Sequence, residues 1–247
     1  MTTPDDRSAT TASRLPGLTV VVPAYNEEGA LATVVRNVLR VGAGIADRLE
    51  VLVINDGSRD RTREIAESLV AEDLRVRLIN HPFNLGFGAS QKSGFGHATQ
   101  EFITLVPADN QFDVECLGRY VPLIADADVV VGYRVNRGDR FIRRVNTKVF
   151  RWVMRALFGV RLRDINWVKL FRKRILDGID IEFKGIGVDA EVIVKAARRG
   201  GRFAELPVSY LPRTTGRSTG DKPLNVIITV LELIILWYRV CLRRERP

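Results

Sequence analysis

Hydrophobic and polar positions along this chain fall into two alternating registers. Short apolar runs, Leu18-Thr-Val-Val-Val22, Glu50-Val-Leu-Val-Ile54, Val76 to Ile79 and Phe102 to Val106, have the length and β-branched content of buried strands. Between them, apolar residues recur at helical spacing, most clearly Leu31, Val34, Val35, Val38 and Leu39. Further helices are predicted from about Asp60 to Val70 and across Ser90 and Gly94. Four alternations of strand and helix with short loops predict right-handed crossovers, hence an α/β fold with a mainly parallel central sheet flanked by helices. Beyond them the pattern predicts a helix around Val114 to Ile124 and a strand over Asp128 to Arg134. A helix opening at Gly187 and running to about Arg199 follows, then a strand over Phe203 to Tyr210.

The polar residues just after successive strands should line one edge of such a sheet, where open α/β folds bind ligands. They are Pro23-Ala-Tyr-Asn-Glu-Glu28, Asn55-Asp-Gly-Ser58, Asn84-Leu-Gly-Phe-Gly88 and Ala108-Asp-Asn-Gln111. Asp109 and Gln111 stand two residues apart, so their oxygens can share one hard divalent cation completed by water and phosphate. A cation held there can neutralise a departing diphosphate, which points to group transfer from a nucleotide. The same residues also suit an ordinary strand exit built from turn-forming Asp and Asn.

Charge adds a second theme. The 247 residues carry a net charge of +9. Between Arg134 and Arg163 stand ten Arg or Lys and one acid, Asp139, so this block alone accounts for +9. Arg143, Arg144, Lys148, Arg151 and Arg155, interleaved with Phe150, Trp152, Val153, Leu157 and Phe158, read as a basic helix suited to an anionic membrane surface or simply to solvent. No recognised nucleic-acid module accompanies the block, so no nucleic-acid partner is expected. Two distant cysteines, Cys116 and Cys241, predict a reducing compartment with no disulfide framework. Residues 1–17 read as a disordered tail without a secretory signal. From Val226 to Leu242 the chain is mostly aliphatic, interrupted by Thr229, Glu232 and Arg239. A charge near the middle makes seventeen residues marginal for spanning a bilayer, so an amphipathic helix lying in the interface over 220–247 is expected, anchored by Trp237 and Tyr238.

The strand-end motifs resemble those of the family 2 glycosyltransferases with the GT-A nucleotide-sugar-binding fold, over about Leu18 to Ser218. Within that family the chain is most similar to the dolichol-phosphate or polyprenol-phosphate mannose synthases. The resemblance implies a GT-A domain over 18–219, an inverting transfer from a nucleotide sugar and a Mg²⁺ or Mn²⁺ ion on the diphosphate. It implies nucleotide contacts for Pro23, Tyr25, Glu27, Ile54, Asp56 and Ala108, with Asp56 hydrogen-bonding the base. Asp109 and Gln111 take the metal role, although Pro107 replaces the usual first acid. Arg134 corresponds to an arginine that pairs with phosphate oxygens, and Arg213 with Ser218 to a loop closing over the diphosphate. Asp164 to Arg172 resembles an acceptor-side wall, and Asp189 stands where hydroxyl-accepting relatives place a general base. A lipid phosphate acceptor is already ionised and needs none, which leaves Asp189 open and favours a helix first-turn role for Glu191.

The implied reaction moves a hexosyl group, mannose from GDP-mannose first, to a polyprenyl phosphate at the cytoplasmic face by a peripheral protein. UDP-glucose or a UDP-N-acetylhexosamine with another acceptor is the alternative. A separate membrane protein or a second copy of the chain is a possible partner.

Overall fold

The computed structural model describes residues 14–135, 141–185, 187–208 and 223–242. Its first half runs β1 (Leu18–Ala24), α1 (Leu31–Ile45), β2 (Leu49–Asn55), α2 (Thr62–Glu72), β3 (Val76–Asn80), α3 (Phe87–His97) and β4 (Phe102–Leu105). The second half runs β5 (Val129–Arg134), α4 (Phe141–Phe158), β6 (Lys169–Arg172), α5 (Lys173–Leu176), α6 (Val188–Arg198), β7 (Phe203–Val208) and α7 (Pro223–Trp237). A π-helical turn, Tyr238–Leu242, follows the last helix.

These strands form one sheet in the order β3-β2-β1-β4-β6-β5-β7. β3, β2, β1 and β4 pair in parallel, β6 runs antiparallel between β4 and β5, and β7 is parallel to β5. Val20, Val22, Val51 and Val53 point into one apolar layer with Leu31, Val34, Val35 and Val38 of α1. Val21, Leu52, Ile54, Ile103 and Val131 point into the other, with Val192, Ile193 and Ala196 of α6 and Leu233 and Leu236 of α7. Burial on both faces is why these strands read as unbroken apolar runs.

Three expectations need correction. The helix predicted over 114–124 is two 3₁₀ turns, Val114–Arg119 and Leu123–Ala125. Pro122 lies between them and has no N–H with which to continue a helix. The tail does not extend to residue 17, because Leu15 is buried and bridges Ala46 while Arg14 bonds Asp47 and the carbonyls of Ala43, Gly44 and Ala46. The C-terminal helix is not a polar-out amphipathic appendage. Leu233, Leu236 and Val240 enter the core, and Glu232 and Arg239 bond the protein body. Leu231, Ile234, Ile235 and Tyr238 form the exposed side.

Buried carboxylates lock the sheet's lower end. Glu50 accepts from the Thr19 hydroxyl (2.6 Å) and from the Thr99 amide (2.9 Å) and hydroxyl (3.0 Å), and it pairs with Arg77. Burial pushes its pKa up, but these donors together outweigh burial and hold it below its ordinary value. Asp128 behaves alike, burial being outweighed by Arg174 and the Arg202 amide. Depressed carboxylates stabilise the fold above their unfolded pKa and lose that contribution as pH falls through the folded one. The thermal midpoint should therefore drop steeply below the unperturbed values of 4.5 and 3.8. Glu50→Gln should lower it by about 4 °C at pH 7 and flatten that acid limb, as read by calorimetry.

Candidate functional site

The first two strand-end loops are zipped together. The Asn26 amide donates to Ser58 Oγ (3.1 Å), the Glu27 amide to Thr62 Oγ1 (2.8 Å) and the Glu28 amide to Asp60 Oδ2 (3.2 Å). In return Asn26 Oδ1 accepts from the Arg59 amide and Glu28 Oε2 from the Arg61 amide. Asn26 takes a left-handed φ of 54°, which asparagine tolerates and which turns the chain at this point. Burial raises the Asp60 pKa, but the Thr62 hydroxyl and amide with the Glu28 amide bring it below normal, so the brace stays ionised. The brace leaves Tyr25 as an exposed ring at the edge of the sheet, 41% accessible, with Pro23 and Glu27 partly exposed beside it.

Asp56, expected to bond the base, also holds its own surroundings together. Only 4% of its surface is accessible. Its Oδ1 accepts from His81 Nδ1 (2.7 Å) and the Leu85 amide (2.9 Å), and its Oδ2 from the Gly86 amide (2.9 Å). His81 Nε2 lies 2.8 Å from Ser93 Oγ. Asp56 therefore folds the 81–86 loop back over the second strand end, and Ile54 beneath it is fully buried in the core. These three bonds leave Oδ2 as the oxygen with room for a further donor. Gly88 also serves packing, since a Cβ there would collide with the Phe183 carbonyl, and its amide donates to Lys184.

Asp109 lies four residues beyond the end of β4. Its Oδ1 accepts from the Gln111 amide (3.1 Å), closing a turn across Asn110, whose φ is 57°. Both side chains are partly exposed, whereas Ala108 is buried beneath them. Asp113, the further acid of this loop, caps the first 3₁₀ turn through the Glu115 amide. Among the described residues no group of three or more His, Cys, Asp or Glu is arranged to hold a metal. One carboxylate and one amide fit a divalent ion that takes its other oxygens from a diphosphate and water.

The antiparallel β6 brings a second set of groups to the same edge. Thr104 pairs with Leu170, and Val131 with Lys169, so the start of β6 lies between the carboxyl ends of β4 and β5. Arg134, at the end of β5, forks onto Asp164 (Nε–Oδ2 2.7 Å, Nη2–Oδ1 3.1 Å) and stacks 4.5 Å over the Trp167 ring. The phosphate role expected for Arg134 is thus shared with a structural one, for the fork already holds a carboxylate. Arg134→Lys keeps the charge but loses the fork and the stack. It should lower turnover about tenfold, and Asp164→Asn should do the same. Initial-rate kinetics on both variants check this.

Asp189, in the first turn of α6, accepts from Lys169 Nζ (2.9 Å) and Gln91 Nε2 (3.4 Å). Glu191 holds the Glu182 and Phe183 amides and Lys195, a structural clamp. Arg213 and Ser218 lie outside the described residues. His81, Ser93, Gln91 and Lys169 were not singled out from the sequence. His81 offered a signal, being one of two histidines and the first residue past β3.

A strand-end cluster of this layout has a recognisable lineage. The model of the "Glycosyl transferase family 2" matches residues 19–178. The chain belongs to glycosyltransferase family 2. An undecaprenyl-phosphate mannosyltransferase of Micrococcus luteus is 29% identical over 83% of this chain and 90% of its own. A dolichyl-phosphate hexose transferase of Haloferax volcanii is 31% identical over 79% and 83%. Glycosyltransferase AglD of the same archaeon is 27% identical over 92% of this chain, which spans only 38% of that protein. A glucosyl-3-phosphoglycerate synthase from Mycobacterium tuberculosis, solved with Mn²⁺, uridine diphosphate and glucosyl-3-phosphoglycerate, superposes with a TM-score of 0.67 at 18% identity. That superposition covers 91% of this chain and 80% of that one, and gives this glycosyltransferase the GT-A fold.

Two further features of the family 2 domain are exposed. On α4, Lys148, Val149, Trp152 and Arg155 share one exposed face, and Met154 anchors the other in the core. On α7 Glu232 Oε2 accepts from the Gly187 amide (3.2 Å), and on the π-helical turn after it Arg239 pairs with Glu182. Burial raises the Glu232 pKa above its usual value. Among the described residues, no helix is long and apolar enough to cross a membrane.

Proposed function

We propose that this glycosyltransferase moves a hexosyl group from a nucleotide sugar to a polyprenyl phosphate, with mannose from GDP-mannose as the first donor to test. The observation that carries the reading is the gathering of Tyr25, Glu27, Asp109, Gln111 and Arg134 at one sheet edge, in a chain whose relatives include an undecaprenyl-phosphate mannosyltransferase. The base would lie against the exposed Tyr25 ring, with the Glu27 carboxylate available to a ribose or base donor. Asp109 and Gln111 would hold Mg²⁺ or Mn²⁺, which would supply positive charge against the diphosphate. An acceptor phosphate oxygen attacks the sugar's C1 from the side opposite the leaving group. The new C1–O bond forms as the bond to the nucleoside diphosphate breaks, and the anomeric centre inverts. The acceptor oxygen is already ionised near pH 7, so no general base takes a proton, and Asp189 is released from that role.

The acceptor's long tail keeps it in a bilayer, since each buried CH₂ is worth about 0.8 kcal/mol. The enzyme must go to it. The exposed side of α7 and the turn after it, with Leu231, Ile234, Ile235 and Tyr238, supplies apolar contact, and Lys148, Trp152 and Arg155 of α4 supply a basic, aromatic flank for anionic lipid. We take the cytoplasmic face as the site of action, with the protein peripheral. Donor choice is read by incubating the enzyme with GDP-mannose, UDP-glucose and UDP-N-acetylglucosamine in turn, with Mn²⁺ and a polyprenyl phosphate. GDP-mannose should give the highest kcat/KM. A higher value for a UDP sugar would overturn the mannose assignment and keep the transfer.

A further inference from the structure

Lys169, Asp189 and Gln91 meet beside the cleft although no two of them share an element. Lys169 opens β6, Asp189 lies in the first turn of α6, and Gln91 is on α3. On β6, Leu170 lies with the Val20 layer and Phe171 with the Val21 layer, so alternation puts Lys169 in the latter, which also receives α6. Lys169 is only 5% accessible, and its ammonium is held by Asp189 Oδ1 (2.9 Å) and the Trp167 carbonyl (2.9 Å). Gln91 is 2% accessible. Its Nε2 faces Asp189 Oδ1, which fixes the amide's orientation, and its Oε1 is buried without a hydrogen-bond partner among the described residues. The arrangement comprises a buried cation, a carboxylate accepting from it, and an amide oxygen that needs a donor.

A stability argument does not account for this set. A buried ion pair is often no better than apolar packing, and an orphaned buried acceptor costs free energy. A sugar hydroxyl answers the unmet need, because each one both donates and accepts. One hydroxyl donating to Gln91 Oε1 satisfies the amide, while its neighbour accepts from Lys169 or donates to Asp189. The register bears on its place: Lys169 precedes Leu170, the partner of Thr104, so the antiparallel β6 sets it toward the carboxyl end of the strand that leads into Asp109. A hexose attached to a diphosphate at Asp109 would lie against this corner.

We propose that Gln91, Lys169 and Asp189 read the hydroxyl pattern of the transferred hexose and so set donor specificity. The proposal rests on the glycosyl-transfer reading. Sites built to bond a hydroxyl discriminate strongly against sugars that misplace it, because buried polar groups are then left unmatched.

The test is direct binding, which needs no turnover. Titration calorimetry compares a nucleotide sugar with its own nucleoside diphosphate, for GDP-mannose and its epimer GDP-glucose, on wild type, Gln91→Leu and Gln91→Glu, all with Mn²⁺. In wild type the preferred epimer should bind at least about tenfold more tightly than the other. Gln91→Leu should reduce that preference to within about twofold while leaving nucleoside diphosphate affinity unchanged, and Gln91→Glu, which keeps an acceptor, should retain part of it. An epimer preference unchanged in Gln91→Leu would overturn the proposal, as would a loss that falls equally on nucleoside diphosphate and nucleotide sugar. Failure of the transfer reading shows separately, as sugar binding that Gln91 controls without any glycosylated lipid being formed.

Discussion

Asp109→Ala should abolish hexosyl transfer, lowering kcat by at least about a thousandfold, with the thermal midpoint within about 2 °C of wild type. The size of the effect follows from the loop's composition. Pro107 stands where a first acid would be, so Asp109 is the carboxylate next to the site proposed for the diphosphate. The small stability change follows from position, since the side chain is partly exposed beyond β4 and its Oδ1 accepts from the neighbouring Gln111 amide. Asp109→Asn separates the two contributions. It keeps an acceptor for that amide while removing the charge, so it should be as inactive as Asp109→Ala and more native in stability. A chelator should inactivate wild type to the same degree, with Mn²⁺ restoring activity. Activity in Asp109→Asn within tenfold of wild type would contradict the role given to this carboxylate.

The second large effect is expected at the exposed side of α7. Leu231→Glu with Ile234→Glu places two charges on residues about half exposed and leaves Leu233, Leu236 and Val240 in the core. Losing two apolar contacts and adding two charges should weaken binding to anionic vesicles about a hundredfold. Transfer to a long-chain polyprenyl phosphate in vesicles should fall in parallel. Transfer to a short, water-soluble prenyl phosphate should stay within about twofold, because the cleft is untouched. Truncation before Asn225 is a poorer probe, since it removes core residues along with the exposed side. Vesicle sedimentation with both acceptors measures the split, and equal losses on the two acceptors would contradict a membrane role for this face.

Much of the fold was legible because its strands are buried on both faces. Val20 to Val22 and Val51 to Ile54 are unbroken apolar runs, and helices between them carry their own period. β6 was not legible: it has four residues, begins with a buried lysine, and gains its place only by pairing with β4 and β5. That one strand carries Lys169 to the cleft, so missing it hid the Gln91–Lys169–Asp189 corner. In the candidate site, Tyr25 and Asp109 stand at strand ends as their spacing implied. The bonds that Asp56 makes within the protein were not legible, for a physical reason. Its partners, His81 and the Leu85 and Gly86 amides, lie about thirty residues downstream, and local turn chemistry says nothing about contacts of that range. The C-terminal helix misled in the same way. Glu232 and Arg239 interrupt its apolar run, yet they bond Gly187 and Glu182, while Leu233, Leu236 and Val240 are buried and Leu231, Ile234 and Ile235 are exposed.

The measurement closest to the central claim is product analysis by mass spectrometry after incubating the full chain with GDP-mannose, Mn²⁺ and a polyprenyl phosphate in anionic vesicles. A lipid product heavier by one hexose, carrying inverted anomeric stereochemistry by NMR and absent with Asp109→Ala, is the predicted result. If no member of a nucleotide-sugar panel yields a glycosylated lipid, while a soluble hydroxyl acceptor is glycosylated, the lipid-phosphate account is contradicted.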